Sequence, residues 1–158
     1  MTDIVDRKTR SRMMSGIKGK DTKPELIIRG ALFARGFRYR LHDKRLPGKP
    51  DIVLPKYHAV IFVHGCFWHG HGCHLFKWPG TRGEFWRKKV TDNRSRDSRV
   101  IRQLLGNGWR VLTVWECSLK GKGCSGTDVI AGKIRRWLAS KKARMEIAGK
   151  VLRSLGNK

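Results

Sequence analysis

From His64 to His74 the sequence reads His-Gly-Cys-Phe-Trp-His-Gly-His-Gly-Cys-His. Of the six histidines and four cysteines in the chain, six fall in this window, where even spreading would place fewer than one. A surface loop has no reason to gather buried-type cysteine and tryptophan beside histidine, whereas a metal site does. A structural zinc ion takes four Cys or His ligands in a tetrahedron. Cys66, His71 and Cys73 offer three from one loop, with His74 as a substitute for His71, and the fourth must come from Cys117 or Cys124. Cys66 stands two residues beyond the apolar run ending at His64, and Cys117 stands two beyond the run ending at Trp115. If those runs are neighbouring parallel strands, both thiols emerge at the same end of the sheet. Cys124, in a glycine-rich loop, has no such anchor. The expected zinc set is Cys66, His71, Cys73 and Cys117. A Cys66–Cys73 disulfide is the alternative, and a reducing cytosol disfavours it.

His64 and His69 are left over from that set. Both lie near an early carboxylate in a basic chain, a setting in which histidine does acid–base work. The carboxylate is Asp51, which follows Pro50 at the start of the apolar run Ile52-Val53-Leu54 and is therefore held at a rigid strand end. A carboxylate on one strand and a polar group at the end of its neighbour is how metal-dependent nucleases hold Mg²⁺ against a phosphate. Their usual Asp/Glu-x-Lys is absent here, and the second strand ends Phe62-Val63-His64. Asp97 shares a helical face with Ile101 and Leu104 and should face inward, as a site residue or as the partner of a nearby arginine. Glu25 shares a face with Ile28 and Leu32, although a capping role accounts for it too.

The chain has 36 Lys and Arg against 12 Asp and Glu, a formal charge of +24 over 158 residues. Each third of the chain carries more than twice as many basic as acidic side chains, so no detachable tail holds the excess. Such a surface repels itself unless a polyanion neutralises it, and a nucleic acid is the expected partner. Six Trp and 39% apolar residues exclude a disordered basic segment. No run of residues suits a membrane span, and residues 1–10 lack the apolar core of a secretory signal. A soluble, cytoplasmic protein is expected. Phe67 and Trp68 inside the histidine–cysteine loop, with Trp86 ahead of the basic run Arg87-Lys88-Lys89, suit an apolar wedge for a duplex. Trp109, Trp115 and Trp137 sit on periodic faces and read as core.

These groups need an α/β frame. Thr22-Lys23-Pro24-Glu25 reads as a capping box opening a helix that stops at Gly36. Phe37, Tyr39 and Leu41 alternate with arginines as a half-buried strand. Asp51–Leu54 and His58–Val63 give two more strands, the second buried on both faces. A helix follows over Thr81–Leu105, with a break expected near Thr91, then a buried strand over Trp109–Trp115. Thr127 is placed to cap a last helix bearing Ile130, Ile134, Trp137 and Leu138. The expectation is a mixed sheet flanked by helices, with a basic segment over 1–20, the main domain over 21–140 and a basic helix or tail over 141–158.

Pro50-Asp51, the His64–Cys73 pattern, Glu84-Phe85-Trp86 and Trp115-Glu116-Cys117 together resemble the very short patch repair (Vsr) mismatch endonucleases, over about residues 7–140. The resemblance implies a restriction-endonuclease-like fold, a structural Zn²⁺ and Mg²⁺-dependent nicking of duplex DNA 5′ to the thymine of a T·G mismatch. By position, Asp51 resembles the family's Mg²⁺ ligand and His69 its general base, while His64 would contact the phosphate or a metal-bound water. Glu25 and Asp97 match acids near that site. Phe67, Trp68 and Trp86 match the intercalating wedge, Met14 and the segment around it would embrace the duplex, and Lys89 and Asn93 are candidate mismatch readers. Val63 stands where some members have a polar residue. A Mg²⁺ contact through its backbone carbonyl survives that change, and one through a side chain does not. Duplex DNA is the implied partner of a monomer, with a mismatch-repair protein as the candidate second partner. The rival reading is a non-catalytic, zinc-stabilised DNA-binding module. A zinc deaminase ranks third, because the H-x-E and P-C-x-x-C elements are missing.

Overall fold

The Thr22 hydroxyl accepts the backbone N–H of Glu25 at 3.4 Å, and Pro24 follows within the first turn, so helix α1 starts at Lys23 and runs to Ala34. The structure, a computed structural model, describes residues 21–121 and 123–150. Met14, the rest of the 1–20 segment and residues 151–158 lie outside the described residues. Gly36, at φ 86°, turns the chain out of α1, and Phe37 N–H returns to the Leu32 carbonyl. That return corrects the strand expected from Phe37. Only Arg40–Leu41 (β1) joins the sheet, because Phe37 and Tyr39 pack back on the core beneath α1, and the Tyr39 hydroxyl donates to the Arg29 carbonyl.

Ile52–Leu54 (β2) is buried throughout and ends at Pro55, which starts a single 3₁₀ turn. His58 serves as the left-handed turn residue (φ 50°) rather than as the first strand residue, so β3 covers Ala59–His64. Helix α2, Gly83–Gly106, is continuous through Thr91. Its residues around Thr91 are modest helix formers, and the helix runs through because Val90, Val100, Ile101 and Leu104 are buried along one side. Strand β4 covers Arg110–Trp115 and helix α3 Thr127–Ala139. Gly126, with no side-chain bond, occupies the cap position expected for Thr127.

A further correction concerns 141–158. Arg144–Ile147 forms a fifth strand, β5, with Met145 and Ile147 turned to the core and Arg144 and Glu146 turned out. Its apolar positions alternate over only four residues, between basic neighbours that conceal the period. The Arg110 guanidinium, bonded to the carbonyls of Trp137, Leu138, Ser140 and Lys142, ties the end of α3 to this strand's approach.

The sheet order is β1-β2-β3-β4-β5, antiparallel through β3 and parallel beyond it. On one face α1 and α3 bury Ile28, Leu32, Ile130, Ile134 and Trp137 against Ile52, Ile61 and Leu112. On the other, α2 buries Val100, Ile101 and Leu104 against Val53, Val60 and Val111. The expected α/β frame is therefore present, a mixed five-stranded sheet flanked by helices. Among the described residues, no helix is long and apolar enough to cross a membrane. The parallel pair β3–β4 runs in register from Ala59 opposite Arg110 to His64 opposite Trp115, so the residues that leave both strands do so side by side.

Candidate active site and metal centre

Cys66 and Cys117 each stand two residues past the ends of β3 and β4, and the register brings them together. The Cys117 N–H donates to the Cys66 sulfur at 3.4 Å. The loop closes on itself as His71 N–H bonds the Cys66 carbonyl at 2.9 Å, bringing His71 Nδ1 to 3.6 Å from Cys66 Sγ and 3.5 Å from Cys117 Sγ. Cys73 completes the group, its ligand atom within 4.8 Å of the others. Tetrahedral zinc with Zn–S near 2.3 Å and Zn–N near 2.0 Å sets ligand atoms roughly 3.3–3.8 Å apart, so this donor set fits such an ion closely. Burial pushes both the Cys66 and the Cys117 thiol pKa up, a cost that a dipositive ion on the sulfurs would remove. All four cysteines are free, so no Cys66–Cys73 disulfide is formed. Cys124 and His74 are exposed and lie outside the cluster.

The second group lies just before this loop. The His64 and His69 rings stack at 3.8 Å and 3°. His69 Nδ1 is hydrogen-bonded to the Asp97 carboxylate, presented by the inward face of α2. This leaves His69 Nε2 available for proton transfer and fixes the ring by its other nitrogen. His64 is buried, which holds its pKa down at about 3, with neighbouring His69 adding to the effect, so it is neutral at physiological pH. Trp115 links the two centres: its ring stacks on His71 at 4.1 Å and turns its edge to His64 at 5.3 Å.

Asp51 shares a cleft of about 690 Å³ with His64, His69 and Asp97, which Lys44, Lys49 and Arg96 also line. One Asp51 oxygen accepts the Val63 backbone N–H at 2.8 Å. Burial raises the Asp51 pKa to about 7, opposed by that bond and assisted by the adjoining Glu25 carboxyl. The Asp51 carboxyl in the cleft, with the buried Glu25 carboxyl set against it, forms a site whose crowding a divalent cation relieves. Glu25 itself does not reach back to cap α1. Its buried carboxylate accepts from Arg29 at 3.0 Å and lies 3.0 and 3.1 Å from His42 Nε2. Asp51, Val63, His64, His69, Asp97 and Glu25 are thus brought together. Sequence reasoning misses His42, Arg29 and Arg96. His42 stands in a turn with no periodic pattern, and only the scarcity of histidine could have pointed to it.

Phe67, Trp68 and Trp86 converge as half-buried rings with centroids 5.2–5.8 Å apart. Asn93 donates its amide to the Trp68 carbonyl at 2.8 Å, so it braces this group, while Lys89 on α2 is exposed.

Comparison with known proteins gives the same direction. A family model described as DNA mismatch endonuclease Vsr matches residues 2–75. The DNA mismatch endonuclease Vsr of Escherichia coli (strain K12) is 43% identical over 147 residues, covering 93% of this chain and 94% of the relative. The type II nicking enzyme V.XorIIP of Xanthomonas oryzae pv. oryzae is 46% identical, covering 78% of this chain and 90% of its own length. The type II nicking enzyme V.NmeAIP of Neisseria meningitidis is 50% identical over 77% of this chain and 87% of its own. With near-complete coverage at this identity, the chain belongs to the Vsr family of DNA mismatch endonucleases.

Proposed function

We propose that this protein is a strand-specific endonuclease that nicks duplex DNA 5′ to the thymine of a T·G mismatch, with Mg²⁺ in the cleft and Zn²⁺ in the Cys–His centre. The observation that carries the reading is the single cleft shared by Asp51, His64, His69 and Asp97. Asp51 and the backbone carbonyl of Val63 would hold the divalent cation, which supplies Lewis-acid polarisation of the phosphate and charge for the leaving 3′ oxygen. His69 takes the proton of the attacking water at Nε2 as the new P–O bond forms and the P–O3′ bond breaks, leaving a 5′-phosphate and a 3′ oxygen that takes its proton from solvent water to become the hydroxyl. Asp97, on Nδ1, holds the ring in one tautomer and steadies the imidazolium that results. Neutral His64, stacked on His69, limits its tilt and offers a ring N–H to the phosphate without a second positive charge. Phe67, Trp68 and Trp86 form the wedge entering the base stack.

A non-catalytic DNA-binding module needs none of this arrangement. Asp51→Ala and His69→Ala are expected to lower Mg²⁺-dependent nicking of a T·G duplex by at least about a hundredfold while leaving duplex binding intact. Nicking retained by either variant would remove that residue from the chemistry, and wild-type binding without nicking would favour the module.

A further inference from the structure

His42 touches neither the histidine pair nor the Cys–His centre, yet it lines the same cleft as Asp51. Its Nε2 lies 3.0 and 3.1 Å from the two oxygens of Glu25 and 3.9 Å from Asp51 Oδ1. Its backbone is left-handed, at φ 46°, a conformation that is strained for a non-glycine residue. Two features sustain it: His42 N–H donates to the Asp51 carbonyl at 3.2 Å, and Nε2 reaches the Glu25 carboxylate. Among the described residues the other side-chain donor to Glu25 is Arg29, which also bonds Asp21 at 2.6 Å. Glu25 is only 2% exposed, so its position depends on these few partners.

We propose that His42 is a positioning residue for the divalent cation: by engaging both oxygens of Glu25, it holds that carboxylate in one orientation beside Asp51, so that the pair presents a fixed negative charge to a metal on Asp51. This rests on the reading of Asp51 as cation ligand. Glu25 then contributes negative charge to the site without taking the ion itself. The role needs a proton on Nε2 and a donor at that distance, which an amide at the same place can also supply. Outer partners of this kind commonly set metal affinity by about 10–100-fold.

The test measures nicking of a T·G duplex by the full chain across a Mg²⁺ titration, and Mn²⁺ binding by electron paramagnetic resonance on the complex with an uncleavable phosphorothioate duplex. His42→Leu should raise the half-saturating Mg²⁺ concentration and the Mn²⁺ Kd about tenfold or more, with the rate at saturating Mg²⁺ within about threefold of the parent. His42→Gln should restore both midpoints. If His42→Leu melts too low to assay, His42→Asn, whose amide falls short of Glu25, takes its place. Unchanged midpoints in a folded variant, a rate loss that no Mg²⁺ concentration recovers, or a His42→Gln variant as weak as His42→Leu would each overturn the proposal. Failure of the underlying reading looks different: Asp51→Asn would then bind Mn²⁺ as the parent does.

Discussion

Burial moves two side chains of the cleft in directions that oppose each other as pH changes. Burial raises Asp51 to about 7, so between about pH 4 and 7 the folded chain holds a proton that the unfolded chain has released. Its contribution to stability is therefore full below pH 4 and lost as pH rises through 7. Burial lowers His64 to about 3, so between pH 3 and about 6.5 the unfolded chain holds the extra proton. Its contribution is full above 6.5 and lost as pH falls toward 3. Over the shared window the two slopes cancel. Asp51→Asn keeps the acceptor for the Val63 N–H and deletes only the first contribution. Without added Mg²⁺ this variant should exceed the parent in stability at pH 8, by on the order of 3 kcal/mol. It should then weaken steadily from pH 6.5 down to 4, where the parent is flat with respect to these two groups. Urea melts at pH 4.5, 6 and 8 measure both, and parallel profiles for the two proteins would show that Asp51 is ionised in the empty cleft.

Among elements, what was legible in the sequence came from period and strand ends. The 3.6-residue repeat of α2 turns Asp97 inward with Ile101 and Leu104, and the structure places it on His69. Two apolar runs ending two residues before cysteines required parallel neighbours, and β3 and β4 are such a pair. Features lacking period were not legible. His42 owes its place over Glu25 to a left-handed turn. β5 was hidden by its length, and with it a support of the metal centre. Past Ile147, Gly149 N–H donates to Cys117 Sγ at 3.2 Å, and Lys150 N–H holds the segment to the Gly123 carbonyl at 2.8 Å. A Cβ at 149 would lie 2.4 Å from the Cys117 carbonyl oxygen, a clash with backbone that no rotamer relieves. Gly149→Ala should push the segment off the thiolate and lower zinc affinity by about tenfold or more. Competition with a chromogenic chelator reads this directly. Unchanged zinc release would mean that the N–H···S contact carries none of the affinity.

At the scale of the molecule, grip and selection are separable because different chemistry supplies them. The +24 charge is spread along the whole chain, so it acts on any phosphate backbone and carries no base information. The packed rings of Phe67, Trp68 and Trp86 are uncharged and held rigid, Trp68 through its carbonyl by Asn93. In the wedge role proposed above they act where a base step opens, and a mispaired step opens at less cost than a matched one. Binding to matched and T·G duplexes should therefore weaken together as salt rises, in parallel lines of log Kd against log salt. Lys88→Ala, on the exposed face of α2, should reduce the slope of both lines by about one and leave their separation alone. Trp68→Ala should leave the slopes alone and narrow the separation by about tenfold, the worth of one ring against a base. Fluorescence anisotropy on the two duplexes between 50 and 300 mM salt (roughly the range where counterion release dominates) decides the matter. If Trp68→Ala shifted both lines equally, the wedge would be part of the grip, and mismatch choice would have to reside in direct contacts to the mispaired bases.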